Sequence, residues 1–178
     1  MKTHSLFLIL LFVLFAGCKT QQDMAAVEQK NAEKQAAFDK AVAALNDGHF
    51  TILADYVTIK NSPPIYVSPT TNFVTRDGNK ATIQLAISTF RSGPNGIGGI
   101  TLDGTVSNVE MKTDKKGNIS YKMSVLGTGL SATINIQMYN GSNSCITTVY
   151  PNFSSTRLVF NGSLFSIEDA FTYKGMTL

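Results

Sequence analysis

The sequence is poor in the residues that most often carry chemistry. It contains two cysteines and two histidines, and 15% of its residues are charged. His, Cys, Asp and Glu are not clustered at the spacings of a metal site, and no glycine-rich segment continues into the Lys-Ser/Thr of a phosphate loop. The formal net charge is only +3, and no basic stripe is interleaved with aromatics. The sequence therefore predicts no cofactor, no metal, no nucleic-acid partner and no enzymatic activity.

Long apolar runs are also scarce, and the one that stands out lies at the N-terminus. Residues 6–15 are continuously apolar, Lys2 precedes them, and the small residues Ala16 and Gly17 follow. A membrane-spanning helix needs roughly 20 apolar residues, so this run is too short. A basic start, a short apolar core and a small-residue site are typical of a signal peptide, which we assign to residues 1–17.

The residue after this segment predicts how the chain is anchored. Leu14-Phe15-Ala16-Gly17-Cys18 resembles a lipobox, with phenylalanine where leucine is more common. The resemblance implies a diacylglycerol on the Cys18 thiol, and acyl chains attach a protein stably to a membrane. We expect a bacterial cell-envelope lipoprotein, on the outer rather than the inner membrane, with its domain in the periplasm or at the surface. Residues 18–22 would be a lipid-anchored tether.

A helix is predicted over residues 23–47, which are rich in Ala, Glu, Lys and Gln. Phe38, Val42 and Leu45 follow one another at helical spacing and form an apolar stripe. We expect this stripe to dock against the rest of the domain. Gly48 is a suitable helix stop.

Residues 48–178 alternate between apolar and polar residues, as β-strands do. About eight strands are predicted, at residues 50–59, 72–76, 81–87, 100–113, 119–125, 130–138, 145–150 and 156–160. Their short links favour antiparallel pairing. The expected class is mainly β, α+β, with one N-terminal helix and either a sandwich or a partly open barrel. Gly104 is expected to mark a bulge or a bend, and Asn161-Gly162 a turn.

Two features are candidates for ligand contact. The first is the glycine-rich stretch Gly93-Pro94-Asn95-Gly96-Ile97-Gly98-Gly99, which is either a wide turn with positive φ angles or a loop that touches a ligand. The second is a pair of arginines, Arg76 and Arg157, which follow similar segments and are either binders of an acidic group or solvated strand-end residues.

A hydrolase is the distant alternative, because its site would have to be assembled by the fold. It would need two or three of His49, Cys145, Asp55, Asp103 and Glu110 within hydrogen-bond reach in one cleft. Cys145 is otherwise interpreted as a small, semi-buried residue.

Several segments together resemble domain-of-unknown-function family 4251, which comprises lipoproteins of bacteria. The matching segments are Ser68-Pro69-Thr70-Thr71-Asn72-Phe73, the glycine-rich stretch continued through Thr101-Leu102-Asp103-Gly104, Lys115-Lys116-Gly117-Asn118-Ile119, and Pro151-Asn152-Phe153. The similarity runs over residues 32–171. It implies an N-terminal helix, a β-rich body and an envelope location, and it brings no established activity or site residue.

The leading functional hypothesis is therefore a non-enzymatic envelope protein that binds a small-molecule ligand or a protein partner, both unidentified. A large apolar pocket would favour the ligand, and an exposed apolar patch or open sheet edge would favour the protein. A structural or assembly role in the envelope is the alternative.

Overall fold

The computed structural model describes the backbone of residues 2–60, 62–87, 93–152 and 154–177, and side chains within these ranges from Met24 onward. Within these ranges, one helix is followed by nine strands. The elements are α1 (Lys2–Asp47), β1 (His49–Ile59), β2 (Ile65–Tyr66), β3 (Phe73–Asp77), β4 (Lys80–Ala86), β5 (Gly99–Thr113), β6 (Ile119–Leu126), β7 (Ser131–Met138), β8 (Ser144–Pro151) and β9 (Leu158–Ser166).

The strands form a closed antiparallel barrel. From β3 to β9 each strand pairs with the next, β1 pairs with β3, and β9 pairs back onto β1. Eight strands therefore make the barrel wall, while the two-residue β2 adds to β1 beyond the end of β3. The prediction of a mainly β domain with one N-terminal helix is confirmed. Of the two architectures left open by the sequence, the barrel is the one found, and it is closed rather than partly open.

Alternate residues of each strand fill the barrel. On β6 the buried residues are Ile119, Tyr121, Met123 and Val125, and on β7 they are Ala132, Ile134, Ile136 and Met138. These are the positions that the period-two pattern predicted. The interior is thus a packed core, as is usual for a barrel of eight strands.

Helix α1 closes one end of the barrel. Phe38 and Leu45 of its apolar stripe belong to the same core cluster as the inward-facing strand residues, and Val42 of the stripe packs against that cluster. Gly48 ends the helix with a φ of 70°, and its N–H donates to the carbonyl of Leu45. We call this the helix end of the barrel; the opposite end, where the β4–β5, β6–β7 and β8–β9 connections lie, is the open end. The predicted docking of the stripe is confirmed.

The N-terminal boundaries predicted from the sequence concern the processed chain. Helix α1 runs continuously through residues 18–22, the predicted tether, and through the predicted 23–47 helix. Cleavage before Cys18 remains a prediction, and the side chain of Cys18 lies outside the described residues, as does Phe153. Within the described part of the chain, no helix is long and apolar enough to cross a membrane.

Two local predictions were wrong. Asn161-Gly162 is not a turn but lies inside β9, where Gly162 pairs with Ala54 across the seam that closes the barrel. The irregularity of β5 falls between Ser107 and Glu110, beside Asn108 with its φ of 50°, rather than at Gly104. Gly104 instead permits a close approach, because a Cβ there would lie 2.7 Å from the backbone of Leu126.

The last residues, 167–177, form a C-terminal strap over the outside of the barrel. The buried Gln84 side chain donates hydrogen bonds to the carbonyls of Thr71 and Tyr173, and its Oε1 accepts from the Gly175 N–H. Lys174 pairs with Asp103 of β5 at 2.5 Å. These bonds fasten the strap across β4 and β5.

Candidate functional site

The glycine-rich loop before β5 is held by the side chain of Asn95. The Oδ1 of Asn95 accepts from the N–H groups of Ile97 and Gly99 at 3.1 and 2.9 Å, and its Nδ2 donates to the carbonyl of Leu85 and the hydroxyl of Thr101. Asn95 is buried, so these four bonds satisfy its amide internally. The wide-turn interpretation accounts for this geometry, and contact with a ligand remains a prediction.

The glycines of the loop serve conformation and packing. Gly96 and Gly98 have φ angles of 75° and 87°, which residues with a Cβ rarely adopt. A Cβ on Gly93 would lie 2.0 Å from the Gly99 nitrogen, and one on Gly99 would lie 1.8 Å from the Leu85 carbonyl oxygen. The loop therefore folds tightly against β4.

The two candidate arginines lie at opposite ends of the barrel. Arg76, at the helix end, donates from Nε to the carbonyl of Gly78 at 2.8 Å and from a terminal nitrogen to the hydroxyl of Tyr121. Arg157, at the open end, is exposed, and its carbonyl accepts from the Lys60 N–H. The structure does not bring them together.

The five candidate residues of a hydrolase site are held in different environments. Cys145 is buried inside the barrel, whereas His49 is exposed and pairs with Asp77 at 3.4 Å. Asp103 contacts Lys174, and Glu110 contacts Lys112. Among the described side chains, no hydrogen bond or ion pair joins any two of the five.

The surroundings of Asp103 lower the pKa of its carboxyl. Burial by itself would raise the pKa of this carboxyl, but hydrogen bonds from Lys174, Thr82 and Thr177, together with the Lys174 charge, outweigh that effect and lower it. All these partners belong to the chain itself, and two of them, Lys174 and Thr177, lie on the strap. We therefore assign Asp103 to fastening the strap.

Metal-ligating residues do not gather in the part of the chain that the structure describes. There, no three His, Cys, Asp or Glu side chains are placed to hold a metal ion.

The open end of the barrel has an apolar mouth. A cavity of about 60 Å³ enters the barrel between β4, β5, β7, β8 and β9. Its walls are Ile83, Leu85, Ile100, Leu102, Leu130, Ser131, Ala132, Val149, Pro151 and Leu158. We call these ten residues the mouth.

The mouth leaves apolar side chains incompletely covered. Leu85, Leu102 and Leu158 are only half-buried, although they pack against the barrel core, and Ile100 and Leu130 of the mouth are half-buried as well. At the other end, α1 covers the corresponding positions, and Phe50 and Leu164 are fully buried. An uncovered apolar concavity can bind an apolar group, because each methylene removed from water is worth about 0.8 kcal/mol.

A second concavity lies between α1 and β9, with a volume of about 420 Å³. It is lined by Ala36, Ala37 and Ala41 but also by Glu33, Lys40 and Asp169, whose charges are of both signs. This groove is larger than the mouth, but it is a wide surface depression with less apolar character. The mouth is the better candidate for binding.

The sequence predicts the strands that build the mouth but not the mouth itself. Ile83 and Leu85 lie in the strand predicted at residues 81–87, and Leu130 begins the one predicted at residues 130–138. Which end the helix would cover depends on the fold, so the uncovered end could not be identified. One signal was available: eight of the ten mouth residues lie within two positions of a strand end, next to a loop.

The fold and site define a class of small, helix-capped antiparallel barrels with an apolar mouth at the uncovered end. Residues 32–164 match the family described as a domain of unknown function (DUF4251), and the chain belongs to this family. It is also similar to a crystal structure of a DUF4251 family protein from Bacteroides eggerthii, with a TM-score of 0.70 and 40% identity, covering 79% of this chain and 94% of the other. No curated protein matches the chain. The resemblance seen in the sequence is thus confirmed.

Proposed function

We propose that this protein is a lipid-anchored, non-enzymatic protein of the bacterial envelope that binds the apolar end of a ligand in its mouth. The observation that carries the proposal is the uncovered apolar concavity at the open end of the barrel. A cavity of about 60 Å³ is well below the roughly 300 Å³ of a pocket for a whole drug-sized ligand. It suits the last few methylenes of an aliphatic chain.

The expected affinity follows from the number of methylenes that enter. Each contributes about 0.8 kcal/mol, which is roughly a fourfold gain in binding. A ligand that places three or four methylenes in the mouth should therefore bind about two orders of magnitude more tightly than one that is too short to enter it. The mouth would therefore select ligands by the length of their aliphatic chain.

A charge placed in the mouth tests this binding. We expect Leu130→Asp to weaken binding of 1-decanol to residues 19–178 by at least about tenfold, because a carboxylate in an apolar site disfavours the chain. Isothermal titration calorimetry gives the affinity. Leu126→Asp is the matched control, because Leu126 is 66% exposed and lies outside the mouth. Equal affinities for the two variants, both folded by circular dichroism, would refute the proposed site.

The fragment that begins at residue 19 keeps the whole described core. Every buried core residue of the described chain lies at or after Phe38.

The anchoring part of the proposal rests on the sequence before and around Cys18. We expect the full-length chain, expressed in a bacterium, to fractionate with membranes, and mass spectrometry of its mature N-terminal peptide to show a diacylglyceryl group on Cys18. Cys18→Ala removes the acceptor thiol and should abolish the modification. A mature wild-type peptide without acyl groups would contradict lipidation while leaving the binding proposal intact.

A further inference from the structure

We propose that the ligand of the mouth is an anionic amphiphile, a single molecule whose aliphatic end enters the barrel and whose carboxylate, phosphate or sulfate group meets Lys60 and Arg157 at the rim. This inference rests on the proposed function and adds the headgroup. The two basic residues had no assigned role in the fold.

Lys60 and Arg157 lie side by side next to the mouth. The N–H of Lys60 donates to the carbonyl of Arg157 at 3.0 Å. Ile59, which precedes Lys60, pairs with Leu158, which follows Arg157. Leu158 lines the mouth. Both basic residues are exposed, so their flexible side chains are free to meet a headgroup above the cavity.

The described residues of the rim carry no opposing charge. The open-end connections include residues 60, 62–64, 87, 93–98, 127–130, 152 and 154–157, and none of these is aspartate or glutamate. At the helix end, by contrast, Asp47, Asp77 and Asp114 occupy the corresponding positions, and Glu168 and Asp169 follow β9. An anion is therefore favoured at Lys60 and Arg157, because the described residues of the open-end connections add no carboxylate to these two cations.

In the part of the chain that the structure describes, neither cation has a carboxylate partner. Among the described residues, the ion pairs are His49 with Asp77, Lys112 with Glu110, and Lys174 with Asp103. Lys60 and Arg157 take part in none of these pairs, so a headgroup would not have to displace an internal carboxylate. Their charges remain available to a ligand.

The site fits one amphiphile better than a membrane surface. The apolar residues of the mouth face inward around a concavity and do not protrude as an apolar face. The chain also enters the barrel at the helix end, so the predicted anchor connects opposite to the mouth. A single chain end can enter the concavity, whereas a flat bilayer cannot.

The test compares two ligands of equal chain length with residues 19–178. Decanoate and 1-decanol are titrated separately at pH 8 in low salt, below the concentration at which decanoate forms micelles. We expect decanoate to bind roughly 3- to 10-fold more tightly, which is the gain two exposed cations can give. The preference should shrink in 1 M salt, where the screening length falls to about 3 Å.

Matched double variants locate the preference. Lys60→Gln with Arg157→Gln should remove it and leave 1-decanol binding unchanged. Lys115→Gln with Lys116→Gln removes the same charge from the helix end and should keep the preference. Equal binding of both ligands to the wild type, or a preference that survives in the rim variant, would overturn the headgroup assignment while the apolar mouth stands.

Two other outcomes separate this inference from its foundation. Failure of both ligands to bind would refute the proposed function and the headgroup together. If the fragment co-sedimented with phosphatidylglycerol vesicles and the Lys60→Gln, Arg157→Gln double variant did not, the basic residues would bind a membrane surface and the single-amphiphile proposal would be wrong. No co-sedimentation is expected.

Discussion

Gly162→Ala is expected to destabilise the domain by about 2–4 kcal/mol, as overpacking at a fixed backbone contact does. Gly162 lies on β9 at the seam with β1, where a Cβ would come 1.9 Å from the carbonyl oxygen of Leu53. The obstacle is backbone rather than a flexible side chain, so the two strands that close the barrel would have to separate. Urea unfolding followed by circular dichroism measures the free energy of unfolding.

Gly129→Ala provides the control for this substitution. Gly129 lies in the β6–β7 turn, and a Cβ there would have no atom within 4 Å. We expect a change within about 0.5 kcal/mol, as for other surface substitutions. If the two variants have the same stability, β9 does not close against β1 in this register.

The thiol of Cys145 is expected to react with iodoacetamide at pH 8 about a thousandfold more slowly than an exposed cysteine. Burial raises its pKa to about 12 from a reference of 9.0, a hydrogen bond with Thr147 opposes this shift, and the Asp55 charge adds to it. The reactive species is the thiolate. Since Cys145 is the sole cysteine of residues 19–178, mass spectrometry reports its alkylation directly.

A neighbouring position gives the comparison for Cys145. Ile146 points the other way on β8 and is 38% exposed. Cys145→Ala combined with Ile146→Cys should therefore be alkylated rapidly without denaturant, whereas the wild type should require unfolding. Rapid reaction of the native wild type would mean that Cys145 does not face the barrel interior.

The raised pKa also predicts the sign of a stability change with pH. The folded state retains the thiol proton more strongly than the unfolded state does. The associated stability is fully present below the reference value of 9.0 and is lost as the pH rises toward the folded value of about 12. Cys145→Ala should therefore weaken the decline in stability above pH 9.

Periodicity predicted most of the strands because each inward face is buried in one core. Tyr121 and Met123 on β6, and Ile134 and Ile136 on β7, alternate with polar residues and are all buried. Such a pattern records which residues face inward. It does not record which strand pairs with the first one, so closure of the barrel was not predictable.

The misassigned glycine shows where local rules fail. Asn161-Gly162 has the composition of a tight turn, yet it continues β9 beside the irregularity between Ala54 and Tyr56 of β1. Glycine is suited to a turn by its backbone freedom and to a seam by its missing side chain. One sequence cannot distinguish the two uses, because the second depends on a strand more than a hundred residues away.

The candidate site depends on tertiary structure even more strongly. The mouth is lined by residues from five strands, and it is open because α1 covers only the other end of the barrel. Lys60 and Arg157 are almost a hundred residues apart and become neighbours through the pairing of β1 with β9. The glycine-rich loop drew attention in the sequence because of its composition, but its polar groups are bound internally.

Binding of an aliphatic chain in the mouth is tested most directly by methyl NMR of residues 19–178 titrated with decanoate. We expect shifts and intermolecular nuclear Overhauser effects at the leucine and isoleucine methyls of the mouth, including Leu85, Leu102 and Leu130, with none at Leu45 or Leu164 under the helix. Shifts confined to the helix end or the groove beside α1, or no shifts at millimolar decanoate, would contradict the proposal.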